Sequence, residues 1–98
     1  MTGVAVAAIW VAKSGREADV AGILASLAPI SRAEPGCRMY HVHTVAEKAD
    51  TFFLYEVYED QSALDEHIAS AHFDAFVIKG AIPLLQTRER TFCQLLDC

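Results

Sequence analysis

The fold is decided by the stretch CRMYHVHTVAEKADTFFLYEVY, residues 37–58. Residues 37–45 alternate in polarity and contain β-branched and aromatic side chains, which predicts a strand. Residues 51–58, TFFLYEVY, carry the clearest strand pattern in the chain. The polar residues 46–50 form a short connection, so the two strands are predicted to pair as an antiparallel hairpin.

The segment before the hairpin predicts a strand followed by a helix. Val4–Ala12 is continuously apolar, which is typical of a buried strand. Ser14 and Glu17 have the spacing of a capping box, and apolar residues then recur at helical spacing. Pro29 lacks a backbone donor, so we expect the helix to kink or end near it. The sequence Glu34–Gly36 (EPG) predicts a firm stop.

The segment after the hairpin predicts a second helix and a last strand. Asp60 or Ser62 can cap the helix. The apolar pattern indicates a break near Ser70, and Arg88–Leu96 is predicted to be a strand. The order is therefore β-α-β-β-α-β, an α+β fold of the ferredoxin-like kind with a four-stranded antiparallel sheet. Because two helices cover only one face of a sheet that is apolar on both, we expect the open face to meet a second copy in a homodimer.

Composition limits the class of protein. The 98 residues are predicted to form one domain, 1–98. The composition, with 53% hydrophobic and 21% charged residues, excludes a disordered chain. A net charge of -5 argues against nucleic acid as a partner. The longest apolar run is about half the ~20 residues of a membrane helix, so no membrane partner is expected. Three cysteines without a C-x-x-C pair favour a cytoplasmic location.

Several stretches together resemble a known family. They are Glu34-Pro-Gly-Cys37 leading into Tyr40, Phe53-Leu-Tyr-Glu56, Asp60-x-x-Ala63-Leu64-x-x-His67, and His72-Phe73-x-x-Phe76. Over essentially the whole chain this pattern is similar to the antibiotic biosynthesis monooxygenase domain, in its quinol-monooxygenase-like branch. The resemblance implies a dimeric α/β barrel.

The resemblance implies function less sharply than fold. Similar proteins include cofactor-free quinol or anthrone monooxygenases, heme-degrading enzymes, isomerases and members of unknown role. Heme degraders of this superfamily have Trp at the position of His67 and an iron-binding His about ten residues later. Here that later position is Val77, which cannot ligate iron, so heme degradation is not expected.

Two histidines are the candidate catalytic residues. His67 and His72 are five residues apart, which on an unbroken helix places them about 140° apart. A break near Ser70 allows both to border one cavity, where an imidazole can act as a general base. The alternative for His72 is a structural role at the joint. The candidate substrate-binding walls, which could equally be plain core, are Trp10, Tyr40, Tyr55, Phe73 and Phe76.

Other polar residues have mainly structural interpretations. His41 and His43 share one strand face and could bind a metal, but no third ligand is near in sequence, so no metal is predicted. Glu56 lies within an apolar strand and is expected to form a structural ion pair with Arg38, Arg88 or Arg90, either across the sheet or across the dimer. Phosphate loops and flavin or nucleotide motifs are absent from the sequence, which favours a protein without cofactor.

The leading hypothesis is a cofactor-independent monooxygenase that oxidises a quinol- or anthrone-like aromatic compound with O₂. Its partners are then a small aromatic or quinone-like substrate, O₂ and a second copy of the chain. Two alternatives stay open: an isomerase of a small hydroxy-carbonyl compound, favoured by a pocket too small for an aromatic ring system, and a non-catalytic ligand-binding dimer.

Overall fold

The computed structural model describes residues 3–96 and 98, so positions 1, 2 and 97 of the predicted domain lie outside the described residues. Eight elements follow in order: β1 (Val4–Ala12), α1 (Glu17–Arg32), β2 (Cys37–Val45), β3 (Lys48–Tyr58), α2 (Gln61–Ile68), a π-helix (Phe73–Ala81), a 3₁₀ turn (Ile82–Leu84) and β4 (Leu85–Gln94). In the described part of the chain, no helix has the length and apolar character needed to cross a membrane.

The four strands form one antiparallel sheet in the order β2-β3-β1-β4. In the centre of the sheet β1 pairs with β3, with Val4 opposite Tyr58 and Trp10 opposite Phe52. On its other side β1 pairs with β4, where Trp10 lies opposite Arg88. The predicted ferredoxin-like arrangement is confirmed.

The two faces of the sheet have different environments. Even-numbered side chains of β1, such as Ala8 and Trp10, pack under the helices, and both are 2% exposed. The odd-numbered Ala7, Ile9 and Val11 lie on the opposite, uncovered face and are half-buried. We call this second face, which β3 continues with Phe53 and Tyr55, the open face.

The first helix differs from its prediction at its start, whereas its end at Arg32 lies three residues past Pro29 and before the predicted stop at Glu34–Gly36. No side chain caps α1 at its N-cap, Arg16, so the predicted capping box is wrong for Ser14. The Glu17 carboxylate does reach back, but it accepts from the Gly15 N–H at 2.8 Å. At the other end the helix continues past Pro29 to Arg32, and the Ala33 N–H bonds to the carbonyls of Pro29 and Ile30. Proline loses only its own N–H, so the carbonyls can still accept from later residues.

The second helical region is broken where the sequence indicates. Asp60 caps α2 by accepting from the Ala63 N–H at 2.9 Å. After Ile68 the chain turns at Ser70, whose hydroxyl donates to the His67 carbonyl at 2.7 Å and accepts from the Phe73 N–H at 3.1 Å. This one side chain satisfies groups of both helical segments, which stabilises the turn between them.

The boundaries of two strands were predicted too late in the chain. β3 begins at Lys48 rather than Thr51, because the hairpin turn is tight and Glu47 adopts the left-handed conformation with a φ of 65°. β4 spans Leu85–Gln94 rather than Arg88–Leu96, since the 3₁₀ turn ends directly at Leu85.

Candidate active site

A cavity lies between the helix-covered face of the sheet and the pair formed by α2 and the π-helix. Its wall combines apolar side chains with two arginines, one carboxylate and one imidazole. The lining residues are Val6, Ala8, Trp10, Tyr40, Glu56, Leu64, His67, Ile68, Phe73, Val77, Arg88, Arg90 and Phe92. An apolar pocket with a few convergent polar groups is the usual form of a small-molecule site.

The cavity is small and partly open to solvent. The space in it that is free for a ligand is about 20 Å³, enough for about one water molecule. With the adjoining space that is open to solvent, it encloses about 360 Å³. Phe92, one of the lining residues, is 53% exposed.

His67 is the central polar group of this cavity. It is only 2% exposed, and its Nδ1 lies 2.7 Å from Glu34 Oε2. A carboxylate only accepts hydrogen bonds, so this contact places a proton on Nδ1 and leaves the Nε2 lone pair free in the neutral ring. His67 Nε2 lies 3.7 Å from Glu56 Oε1. The imidazole is therefore held between two carboxylates.

Glu56 is buried and hydrogen-bonded to a tyrosine. The Tyr58 hydroxyl donates to Glu56 Oε1 at 2.7 Å. Burial raises the pKa of Glu56, although the bond from Tyr58 and the neighbouring His67 act in the opposite direction. Burial and the Glu56 charge also raise the pKa of Tyr58, so its hydroxyl remains a donor.

Within one chain, the predicted ion pair of Glu56 with an arginine does not form, and a pair across the dimer stays a prediction. Among residues 3–96 no arginine nitrogen comes within 4.0 Å of this carboxylate, and its closest partners are Tyr58 and His67. Arg88 acts on Glu56 only at longer range. Among residues 3–96 the carboxylate thus lines the cavity without an arginine partner.

Two donors in the cavity wall are buried without a partner. In the described part of the chain, neither Trp10 Nε1 nor Arg88 Nε has a hydrogen-bond acceptor. Burial, and after it the charge of Arg90, lowers the pKa of Arg88. Buried N–H groups are nearly always paired in folded proteins, and leaving one unpaired costs about 1–3 kcal/mol. Among the described residues these two N–H groups are therefore candidate donors to a ligand oxygen.

Glu34 is the site residue that sequence reasoning missed, since it was interpreted only as part of a helix stop. It lies in the loop after α1, which packs closely on α2 because Gly36 has no side chain. A Cβ added at Gly36 would overlap the Cβ of Ala63. The only sequence signal for Glu34 was its position at the start of the family-like stretch. From this loop its Oε2 contacts both His67 and His72.

The structure brings together most of the predicted site residues. Trp10, Tyr40, His67 and Phe73 line the cavity. His72 does not: its Nε2 contacts Glu34 from the other side, and the residue lines a separate surface cavity. Phe76 is half-buried against the core outside the cavity wall.

The remaining predicted wall residue, Tyr55, lies on the open face. It pairs with Ala7 of β1, and its ring is 6.5 Å from that of Phe53. On the same face the rings of His41 and His43 are 6.4 Å apart, and His43 Nδ1 contacts the Phe53 carbonyl at 2.9 Å. The helix-covered cavity and the open face are thus on opposite sides of the sheet.

The fold is thus a two-layer α+β domain with a cavity, lined by a histidine and a glutamate, under its helices. The sequence profile described as "Antibiotic biosynthesis monooxygenase" matches residues 2–79. The chain therefore belongs to the antibiotic biosynthesis monooxygenase family, as its motifs indicated.

Two bacterial relatives have similar sequences. "Putative monooxygenase Rv0793" of Mycobacterium tuberculosis is 33% identical over 70 residues, which are 71% of this chain and 68% of that protein. "Putative monooxygenase YcnE" of Bacillus subtilis is 38% identical over 55 residues, or 56% of this chain, and the match spans only 58% of its length.

Solved structures confirm the fold. PA3566 from Pseudomonas aeruginosa has a TM-score of 0.91 at 29% identity, covering 98% of this chain and 96% of that one. Rv0793 has a TM-score of 0.89 at 29% identity, covering 98% and 97% of the two chains.

Proposed function

We propose that this protein is a monooxygenase that oxidises a quinol- or anthrone-like compound with O₂, using His67 as the general base. The observation that carries the proposal is the position of His67. Its Nδ1 is engaged by Glu34, and its Nε2 lone pair belongs to a ring that lines the cavity. A buried base of this kind can remove a phenolic or activated C–H proton.

The unpaired donors of the cavity wall supply the second requirement of the reaction, which is to stabilise the charge that develops on the substrate. When a phenol loses its proton, negative charge develops on its oxygen. Trp10 Nε1 and Arg88 Nε are buried N–H groups without an acceptor in the described chain, so they can stabilise this oxyanion. Because they are already positioned in an apolar wall, little reorganisation is needed during the reaction.

The proposed reaction balances with O₂ as the only oxidant. His67 Nε2 takes a proton from the substrate, and the electron-rich anion transfers electrons to O₂ to form a ring-carbon hydroperoxide. His67 returns its proton to the peroxide to give this hydroperoxide. Its O–O bond then breaks together with the C–H bond at the same carbon, so one oxygen stays as a new carbonyl and the other leaves as hydroxide, which takes up the C–H proton to form water. A quinol plus O₂ thus gives a hydroxyquinone plus H₂O.

The roles of the other predicted residues follow from their places. Tyr40 and Phe73 form the apolar wall beside His67, at ring-centroid distances of 5.9 and 5.3 Å. His72 supports Glu34 from the side cavity, so we assign it a positioning role rather than contact with substrate. Phe76 packs behind this wall, and Tyr55 is assigned to the open face.

We also propose that residues 1–98 act as one cytoplasmic domain that forms a homodimer through the open face. Ile9, Val11, Phe53 and Tyr55 present apolar surface there, only partly shielded within one chain. Apolar surface of this kind on a sheet is normally covered by a second layer.

A second candidate function, isomerisation of a small hydroxy-carbonyl compound, is favoured by the cavity size. The free volume of the cavity, about 20 Å³, holds no aromatic ring. In addition, Glu56 beside His67 offers an acid–base pair that can move a proton between neighbouring carbons. For the oxygenase, the ring would lie in the adjoining space that is open to solvent, with only its reacting oxygen inside the cavity.

Oxygen uptake by metal-stripped protein tests the proposal. The substrates are reduced quinols and anthrone, and the variant is His67→Ala. His43→Ala is the matched control, because His43 lies on the other face of the sheet. We expect uptake above autoxidation in the native protein and the control, and none in His67→Ala. Uptake that survives in His67→Ala contradicts the assigned base.

A parallel measurement separates the second candidate. Small hydroxy-carbonyl compounds are incubated in D₂O, and the exchange of their α-protons is followed by NMR. Exchange that depends on His67, together with no oxygen uptake, establishes the isomerase in place of the oxygenase. If neither activity appears in any substrate, the ligand-binding dimer replaces both.

A further inference from the structure

A second cluster of titratable groups adjoins the cavity and shares His67 with it. Glu34, His67 and His72 each present one ligand atom, and these three atoms all lie within 4.8 Å of one another. They come from three separate parts of the chain: the loop after α1, the end of α2 and the turn before the π-helix. Glu34 Oε2 sits between the two imidazoles and contacts His67 Nδ1 and His72 Nε2.

This set of donors matches the ligands of a divalent transition metal. Two imidazole nitrogens and one carboxylate oxygen are a common three-residue set for zinc, with water in a fourth position. Zinc takes nitrogen and oxygen ligands at about 2.0–2.2 Å. The three donor atoms lie within 4.8 Å of one another, and the ion would replace the two protons that now join the imidazoles to Glu34.

The cluster is accessible from the surface through a second cavity. Glu34 and His72 line a separate cavity of about 260 Å³, which Glu66 and Ser70 also border. The side chains of Glu34 and His72 are 16% and 21% exposed, whereas His67 is buried. An ion can therefore enter from this side and have room for a water ligand.

We propose that Glu34, His67 and His72 form a zinc site that switches off the base. A metal bound at His67 Nδ1 takes the position of the proton there, and the neutral ring then carries its proton on Nε2. His67 would become a donor toward the cavity and could no longer accept a proton. Zinc binding stands on the geometry alone, while the inhibition rests on the function proposed above.

Binding is tested without any activity measurement. The protein is titrated with CoCl₂, whose visible absorption reports the coordination of the ion, and with ZnCl₂ by calorimetry. The exposed thiols Cys93 and Cys98 are replaced by serine throughout, because thiolates also bind these ions. We expect one ion per chain, and a loss of affinity of more than about tenfold in both His72→Ala and Glu34→Gln.

The histidine pair on the open face provides the matched control. His41→Ala/His43→Ala removes two imidazoles that are also close together but, among the described residues, belong to no cluster of three such ligands. Its affinity should equal that of the parent protein. The proposed site is wrong if the His41→Ala/His43→Ala control loses metal binding while His72→Ala keeps it. It is also wrong if the parent protein binds no ion. Circular dichroism of each variant identifies any that fail to fold, and Glu34→Gln and His72→Ala test the site separately.

Inhibition is then measured as oxygen uptake with and without ZnCl₂, each variant against its own metal-free rate. The parent protein and the His41→Ala/His43→Ala control should be inhibited, and His72→Ala should not. Binding without inhibition overturns the switch. If the protein binds zinc but shows no oxygen uptake, the zinc site is supported and only the oxygenase function is wrong. The zinc site and the oxygenase function can therefore fail independently.

Discussion

Gly36 determines how closely the loop that carries Glu34 packs on α2. In Gly36→Ala the new Cβ overlaps the Cβ of Ala63, and the next neighbour is the Ala63 Cα at 3.5 Å. Both atoms belong to or adjoin the helix backbone, so no flexible side chain can move aside. The loop and α2 must therefore separate by about an ångström. Overpacking of this kind costs about 1–3 kcal/mol.

The net cost can be reduced by an effect in the unfolded state. Replacing glycine by alanine restricts the unfolded chain, which stabilises the fold by about 0.4–1 kcal/mol where the backbone is compatible. Gly36 does not have a positive φ, so alanine is compatible there. We expect Gly36→Ala to lower the free energy of unfolding by about 1–2 kcal/mol. It should also weaken the bond between Glu34 Oε2 and His67 Nδ1, now 2.7 Å long.

A second substitution, Ala63→Gly, tests whether the steric overlap is the cause of the lost stability. Ala63→Gly removes the overlapped Cβ and alone costs up to about 1 kcal/mol, because glycine is a poor helix former. In the double variant the overlap is gone, so the two effects should couple favourably by about 1 kcal/mol or more. The assay is urea unfolding followed by circular dichroism. Effects that add within about 0.5 kcal/mol would refute the steric account.

Three further changes test other parts of the molecule. Tyr58→Phe removes the hydroxyl bonded to Glu56 and should cost about 1–3 kcal/mol in urea unfolding, and an unchanged midpoint would show that this bond contributes nothing. Burial raises the pKa of the Cys37 thiol to about 11, so the rate at which this thiol is alkylated should keep rising up to that pH. At pH 8, peptide mass spectrometry should show that Cys37 is alkylated far more slowly than the exposed Cys93, and equal rates would contradict the burial argument. Phe53→Lys places a charge on the open face and should shift the proposed dimer to monomer in sedimentation velocity, whereas an undisturbed dimer would place the interface elsewhere.

The sheet could be predicted from the sequence because its signals are local. Alternating side chains in β2 and β3 and the apolar run of β1 each indicate a strand without knowledge of the partners. The turn at Ser70 was also visible, since the apolar spacing changes there. The sequence does not show how far α1 extends past Pro29, because surrounding contacts decide whether a helix tolerates proline.

The candidate site was only partly predictable because it depends on distant contacts. His67 was identified by its chemistry, but its partner Glu34 lies 33 residues earlier. No periodicity connects a loop carboxylate with a helix imidazole, and Gly36 and Ala63 decide their distance. Tyr55 was grouped with Trp10 because both strands are apolar on both faces, so that only the register of the sheet separates them.

Trp10 gives the protein its own optical signal. It is the single tryptophan of the chain, and its indole forms part of the cavity wall. Indole emission responds to hydrogen bonding and polarity at the ring, and this Nε1 has no acceptor among residues 3–96. Any compound that places an oxygen there will shift the emission of a single fluorophore. Collections of small molecules can therefore be screened on the unlabelled protein before any reaction product is known.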